Sequence, residues 1–424
     1  MRSPAELAVT IPRRWAWALG VSVTMLVGLL VWLVLAARDA VPPVAETARS
    51  AVAAAQRRIM GPVPLRAEMV TPQTVASVAI HDIDEYEVCG GTWVKVNADG
   101  EPDGTDMKRA IRRDDVIAAV DRTLAVDARP QAQAARLWLQ MLGGGSAAAT
   151  RDSLARLAVA SIDPVTYALA FHGCSGGRVR DGACALLSAE QWARLDPGNA
   201  APWQAVFAAA QTRKDNAAAN EALHRIATSK RSDQRTFDLL RLVLDAAPND
   251  DALQNGVFAL AVEVIGIQAA WSLPSYQPLV SACKTELLRD SNRRQTCEAM
   301  GELFAQRSDT LLERGIGVSV GRQLGWPEER IDRMRAEQAA YGNSMFDSTE
   351  PREAMGCTAI RRLNERFRRG ARLGEVGAMH EWIAKEALSA EELLRRYRAE
   401  QRALAERANA DAVARAASSA SAPG

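Results

Sequence analysis

Gly317-Val318-Ser319-Val320-Gly321 has the spacing G-x-S-x-G. In that motif a serine on a sharp strand-to-helix turn becomes a nucleophile aimed at an oxyanion hole. The chemistry needs a strand before the serine, whereas the flanks here carry helical spacing, so two glycines that let helices pack closely is the simpler reading. The chain has four histidines, His81, His172, His224 and His380. None stands at zinc-site spacing from another histidine or a cysteine pair, and His380-Glu381 lacks the second histidine of a zinc-protease helix. No C-x-x-C pair is present for redox catalysis, and the closest cysteines, Cys174 and Cys184, are separated by nine residues. Gly143-Gly144-Gly145 precedes a helical pattern without the lysine and serine or threonine of a phosphate loop. No residue is therefore assigned to catalysis, to a cofactor or to a metal, and no cofactor is expected.

The six cysteines, Cys89, Cys174, Cys184, Cys283, Cys297 and Cys357, are an even set. In an exported region such a set reads as disulfides. Cys283 and Cys297 stand about equally far from Asp290-Ser291-Asn292, where two helical patterns meet, so an antiparallel hairpin brings them to one height. Cys174 ends one helical pattern and Cys184 begins the next, which makes a second local bridge. By elimination Cys89 and Cys357 form a long-range link.

Export is suggested by the 23 residues Trp15–Ala37, which carry no charge. At about 1.5 Å per residue they reach across a hydrocarbon core of roughly 30 Å. Trp15, Trp17 and Trp32 lie towards the ends, at the interfacial depth that indole prefers. Arg2, Arg13 and Arg14 precede the span, so the expected topology is a single-pass protein of the bacterial inner membrane with its N-terminus cytoplasmic and its bulk periplasmic. A cleaved signal is the competing reading, although its apolar core would run only about 7 to 15 residues. Ala16, Gly20, Thr24 and Gly28 line one stripe of the span. Small residues are common in membrane helices, and a homodimer through this stripe stays open beside that plainer reading.

The chain has 52 basic and 51 acidic side chains and no long basic run, so nucleic acid is not an expected partner. One uneven patch is Arg361, Arg362, Arg366, Arg368, Arg369 and Arg372, which reads as a solvated face or a contact for anionic lipid or an acidic partner. Abundant alanine, leucine and arginine with few aromatics favour helix over sheet.

The expected fold is mainly α: an N-terminal transmembrane helix followed by an α-solenoid or array of helical hairpins, with a small β-prone segment near residues 75–96. In order, residues 1–14 are a cytoplasmic tail, 15–37 the membrane helix and 38–64 a juxtamembrane stalk. Residues 65–106 form a small mixed segment with β-prone runs at Val75–Ile80 and Thr92–Val96. Residues 107–407 are a helical-repeat domain of amphipathic segments with short connections. Ser389 and Glu392 read as a capping box, and 408–424 as a disordered tail.

Asp196-Pro197-Gly198-Asn199, followed by Trp203, the turn Lys214-Asp215-Asn216 and the small residue Ala219, resembles a tetratricopeptide repeat. In that resemblance Pro197 lies in the turn between repeats, Trp203 takes the large aromatic position of the first helix, and Ala219 sits where the two helices approach most closely. Phe207 and Ala210 depart from the pattern, and the echoes at Pro164 and Pro248 keep no strict 34-residue period. The resemblance implies a surface that binds another protein. The layout, one anchor and then a degenerate repeat with paired cysteines, also resembles uncharacterised proteobacterial envelope proteins. The expected function is a membrane-anchored periplasmic interaction or scaffolding module for an unidentified protein partner. The alternative is a cell-envelope enzyme, which would show as a cleft joining Ser319 to a histidine or as carboxylates converging in a deep pocket.

Overall fold

A computed structural model describes residues 85–95, 104–142, 147–175, 181–270, 276–345 and 356–420. The expectations for the apolar rod 15–37 with Gly20, Thr24 and Gly28, for the stalk and for Val75–Ile80 lie outside these residues. Two compact units divide the chain, Met1–Glu85 and Tyr86–Gly424, and the description that follows concerns the second. Among the described residues no helix is long and apolar enough to cross a membrane.

Strands β1 (Glu85–Val88) and β2 (Thr92–Lys95) pair as a hairpin. Gly90 and Gly91 turn the chain between them at positive φ, and that tight turn decides which residues pair with Thr92–Lys95. The partner strand is thus Glu85–Val88, a segment the β-propensity reading passed over. Val88 and Val94 pack under α1 (Gly104–Ile111), against Ala110 and Met107.

The rest is helical. Helices α2 (Arg113–Ala125), α3 (Pro130–Leu142), α4 (Ala147–Val159), α5 (Pro164–Ser175), α6 (Ala189–Leu195), α7 (Ala201–Thr212) and α8 (Asn216–Ala227) each pack on the next. The row continues from α8 to α12 (Ser291–Arg307), α13 (Leu311–Leu324), α14 (Glu328–Met345) and α16 (Ala390–Ala420). A second set, α9 (Thr236–Ala246), α10 (Gln254–Ala270) and α15 (Cys357–Lys385), leaves that row. Helix α9 lies on α2, α3 and α5, α10 lies on α1 and α2, and α15 covers both. The short α11 (Tyr276–Ala282) packs on α13. Apolar residues three and four apart build this arrangement: Val116, Val120 and Leu124 on α2 are buried, as are Leu239, Leu240 and Val243 on α9. They join one core that reaches from α2 to α14.

Side-chain caps set several helix starts. Ser188, Asp215, Asp290 and Thr310 accept from the backbone N–H three residues on, at α6, α8, α12 and α13. Ser389 accepts from Glu392 N at 3.2 Å, but the Glu392 carboxylate turns to Arg395 and Arg396 instead of completing a capping box. Helix α16 continues to Ala420, past the Ala408 at which fraying was expected, since its last segment is rich in alanine, the best helix former.

Helices α12 and α13 approach closely because of glycine. A Cβ on Gly317 would lie 2.8 Å from Gly301 O and would meet the Ala305 amide, and one on Gly321 would enter the Trp326 ring. The G-x-S-x-G residues are interior to α13, so Ser319 sits on no strand-to-helix turn.

Three disulfides join Cys89 to Cys357, Cys174 to Cys184 and Cys283 to Cys297, with Cα separations of 4.2, 5.5 and 5.7 Å. The last bridge does not cross a hairpin of two long helices as expected. Helix α11 ends at Ala282, and a 3-10 turn at Leu287–Arg289 fills the space before Asp290 caps α12. The arginine patch keeps Arg361, Arg362, Arg369 and Arg372 on the exposed surface, and most of its members are paired there. On α15, Arg361 pairs with Asp251, Arg372 with Asp245 at 3.4 Å and Arg369 with Glu381 at 3.5 Å. Arg368 donates to Leu244 O and Arg366 to Ser344 O, so the patch fastens α15 to its neighbours.

The turns between helices stack. Ala200 N donates to Arg231 O, Ser232 N to Arg307 O, Asp309 N to Ser232 O, and Glu375 N to Asp309 O at 2.7 Å. Four chain segments, 198–200, 230–233, 307–310 and 374–376, therefore form a backbone ladder across the helix ends. Asn199 reaches Asp233 over 34 positions, the spacing of one repeat, but the next tier is farther along the chain. At the fourth tier Gly374 breaks α15 with φ 69°. Asp309 O lies 2.8 Å from where a Gly374 Cβ would sit, which explains why the break falls at this glycine.

Candidate functional site

Glu313 lies on the first turn of α13, three and four residues before Ile316 and Gly317, on the stripe that faces the core. It is 0% exposed. Its Oε1 accepts from Gln204 Nε2 on α7 at 2.6 Å, from Gln234 Nε2 at 3.0 Å and from the Tyr276 hydroxyl on α11 at 3.2 Å. Gln204 Nε2 also donates to Ser232 Oγ at 3.0 Å, and Gln234 Nε2 to Gln204 Oε1. Glu313 Oε2 has no partner. Burial lifts this carboxyl above its usual range, and the bonds from Gln204, Gln234, Ser232 and Tyr276 pull it back part of the way. Burial likewise pushes the Tyr276 hydroxyl well up, helped by the charges of Glu313 and Asp309.

Beside it, the ladder turn presents Asp309. Its Oδ2 accepts from Gln234 N at 3.2 Å, while its Oδ1 is shut off from solvent and has no partner. Burial, and then the charges of Asp233, Glu313 and Glu375, raise this carboxyl well above the ordinary value. Glu375 follows the break at Gly374, and its Oε2 caps α13 by accepting from Leu311 N at 2.8 Å. Its carboxyl is also raised by burial, against that bond. His172 on α5 closes the group, with Nε2 2.9 Å from Gln234 O. Burial lowers its pKa to about 4, so the ring is neutral at physiological pH. Next to this centre Asp196 holds Arg231 and Arg235 and accepts from Asn199 Nδ2 at 2.8 Å, which fixes the first two ladder tiers. Tyr276, Gln204, Gln234, Glu313, Asp309 and His172 form a centre sealed by helices. Its chemistry is proton binding and hydrogen bonding at the ladder.

A second feature is an open cleft of about 520 Å³ lined by Arg314, Pro327, Arg330, Arg333, Glu337 and His380, among others. Arg314 is 1% exposed and pairs with Glu337, with Nη1 3.2 Å from His380 Nε2. Arg330 lies 3.8 Å over the Trp326 ring and bonds Glu302 at 2.6 Å, and Arg333 bonds Glu329 at 3.1 Å. Each guanidinium therefore has its own carboxylate. Burial, then the Arg314 charge, lowers the His380 pKa. Ser319 does not line this cleft. Among the described residues no cluster of three histidine, cysteine, aspartate or glutamate side chains could hold a metal.

The residues singled out by the repeat resemblance lie on the α7–α8 hairpin and its entry. Trp203 is half-buried against the core, with the Arg225 guanidinium 5.7 Å above its ring. Ala219 is buried on α8. Pro197 is exposed in the first ladder turn, where Gly198 has φ 83°. His224 is exposed on α8, and His81 lies outside the described residues. The polar centre escaped the sequence reading. A carboxylate in LLERGIGVSV and a glutamine in PWQAVF, both on apolar stripes, were its available signals.

Gln133 Nε2 donates to Leu124 O and Arg136 pairs with Asp121, so α2 and α3 run antiparallel. In the turns that follow α2 and α4, Val126 and Ile162 are 85% and 89% exposed, and Val159 at the end of α4 is 50% exposed. No family model matches the chain, and no curated protein or solved structure matches it either.

Proposed function

We propose that this chain is an envelope scaffolding module, held in the bacterial inner membrane by residues 15–37, whose exported body of tetratricopeptide-like hairpins binds another protein. The observation that carries this reading is the pairing of all six cysteines, with none left free, on a body built almost wholly of packed helices. Disulfides persist in oxidising compartments. The uncharged rod at 15–37 with arginines before it supplies the anchor and the direction of export. We assign the partner contact to the turns after α2 and α4, where the apolar side chains of Val126, Val159 and Ile162 are exposed.

Two measurements test this. Alkaline phosphatase fused at the C-terminus should be active and a fluorescent-protein fusion dark, with the mature chain still carrying residues 15–37. Activity reversed between the two reporters, or a mature chain starting after residue 36, would overturn the reading. Affinity capture from crosslinked membranes should then recover a reproducible partner with the native protein and lose it with Val126→Asp/Ile162→Asp. Both substituted positions are exposed, so thermal stability should not move.

A further inference from the structure

The third ladder tier gathers three carboxyl groups around one backbone turn with no arginine bonded to the Asp309 carboxyl, whereas the three carboxylates around the second tier, Asp196, Asp233 and Asp238, share Arg235. Asp309 provides the turn itself, Glu313 begins the helix it opens, and Glu375 reaches in from α15 to cap that helix. Two oxygens in this group, Asp309 Oδ1 and Glu313 Oε2, are buried without a donor, a costly arrangement for ionised carboxylates. The backbone that closes the tier, Glu375 N to Asp309 O, follows directly on Gly374, whose φ of 69° makes it the natural pivot of α15. Beyond the pivot, Val376, Ala378 and Met379 form a small separate apolar cluster with Tyr341, against which Trp382 packs. The segment after Gly374 thus joins the body through that cluster, the ladder bonds, the Glu375 cap on Leu311 N and the contact of His380 with Arg314, whose charge together with burial lowers the His380 pKa.

We propose that the turn Ser308–Leu311 is a proton-operated latch, closed on the Gly374–Lys385 segment when its carboxyl group carries a proton and loosened when the group is fully ionised. A proton on Asp309 gives its orphan oxygen a hydroxyl and removes repulsion among Asp309, Glu313 and Glu375. The charged and titratable groups that face the turn are Asp233 and Arg235 from the 228–235 loop and the start of α9, Glu313 and Arg314 from α13, Glu375 from α15, Tyr276 from α11, His172 from α5 and Tyr341 from α14. Arg235 is occupied by Asp196, Asp233 and Asp238, and Arg314 by Glu337. His172 stays neutral above about pH 4. Among the described residues no cation bonds the Asp309 carboxyl, although Arg314 on α13 keeps one buried N–H without a partner, and the raised Asp309, Glu313 and Glu375 carboxyls place proton uptake on the closed form. The latch rests on the fold alone and holds whether or not the partner reading above does. In a compartment whose pH follows the medium it would couple acidity to the position of α15.

Hydrogen exchange of the intact chain, read by mass spectrometry and corrected for intrinsic rates, tests this. Leu311, Glu375 and Val376 amides should lose protection as pH is raised from about 5 to about 9, by a factor of ten for each unit by which the closed-form titration lies above the open one. Peptides from α3 and α4 should not change. Asp309→Asn, which mimics the protonated group, should bring the slow rate to both pH values, and Glu375→Gln should do so in part. Equal wild-type protection at both pH values, or an Asp309→Asn chain that keeps the full difference, overturns the latch. If neither variant folds, the wild-type comparison alone decides.

Discussion

His172 shows how one buried ring sets a pH limit. It is neutral in the fold, with Nε2 on Gln234 O, and its pKa lies at about 4 where an exposed histidine titrates near 6.5. A histidine lowered in this way leaves stability intact above about 6.5 and subtracts from it as pH falls towards 4, by about 3 kcal/mol in all. His172→Gln keeps a donor for Gln234 O and removes that limb, so the stability gap between variant and wild type, read by urea denaturation, should shift in the variant's favour by about 3 kcal/mol from pH 7 to pH 4. Gly317 and Ser319 make a second test. Gly317→Ala must part α12 from α13 and should cost about 1–3 kcal/mol, whereas Ser319→Ala should stay within about 0.5 kcal/mol. At this scale the sequence was informative where chemistry is covalent: the cysteine partners followed from spacing and elimination. It was silent on Glu313, because an isolated carboxylate on an apolar stripe has no signature until its donors arrive from α7, α11 and the 228–235 loop.

Helices were the easiest elements to read, since apolar spacing and caps are local. Thr310, Asp290 and Asp215 mark starts that agree with the pattern. Errors arose where a distant neighbour decides: β1 is set by the turn at Gly90-Gly91. The exposed arginine face, whose solvated reading stands, has partners in Asp245, Asp251 and Leu244 that no local spacing reveals. The disulfides act between elements, and their loops differ. The Cys174–Cys184 and Cys283–Cys297 bridges span 10 and 14 positions, the Cys89–Cys357 bridge 268. In the chain-entropy account these are worth about 3 kcal/mol for each short loop and about 5 kcal/mol for the long one. Paired alanine substitutions should therefore lower the melting temperature most for Cys89/Cys357, and equal losses for all three pairs would refute that account.

For the whole molecule, the balance of titrating groups sets a preferred acidity. Asp309, Glu313 and Glu375 are raised in the fold, so their contribution is complete below the ordinary carboxylate range and is lost as pH rises through the raised values. His172 works in the opposite direction below about 6.5. The melting temperature should peak at mildly acidic pH and fall on the alkaline side, and Asp309→Asn should flatten the alkaline fall. A melting temperature that rises steadily from pH 5 to pH 8 would contradict this. The mainly helical class was legible from composition and periodicity. The second layer of α9, α10 and α15 was not, because the contacts of α15 with α9 and α10 and of α10 with α2 join residues more than 100 positions apart.

The bond between Cys89 and Cys357 also determines how force would travel. A pull between residue 85 and the C-terminus would pass from the β-hairpin straight into α15 through two sulfur atoms. Everything from Gly90 to Gly356, including the α7–α8 hairpin and Ile162, would hang off the line of tension as an unloaded loop. Tension between those two points would leave the helices of that loop unstretched until the one covalent link is reduced.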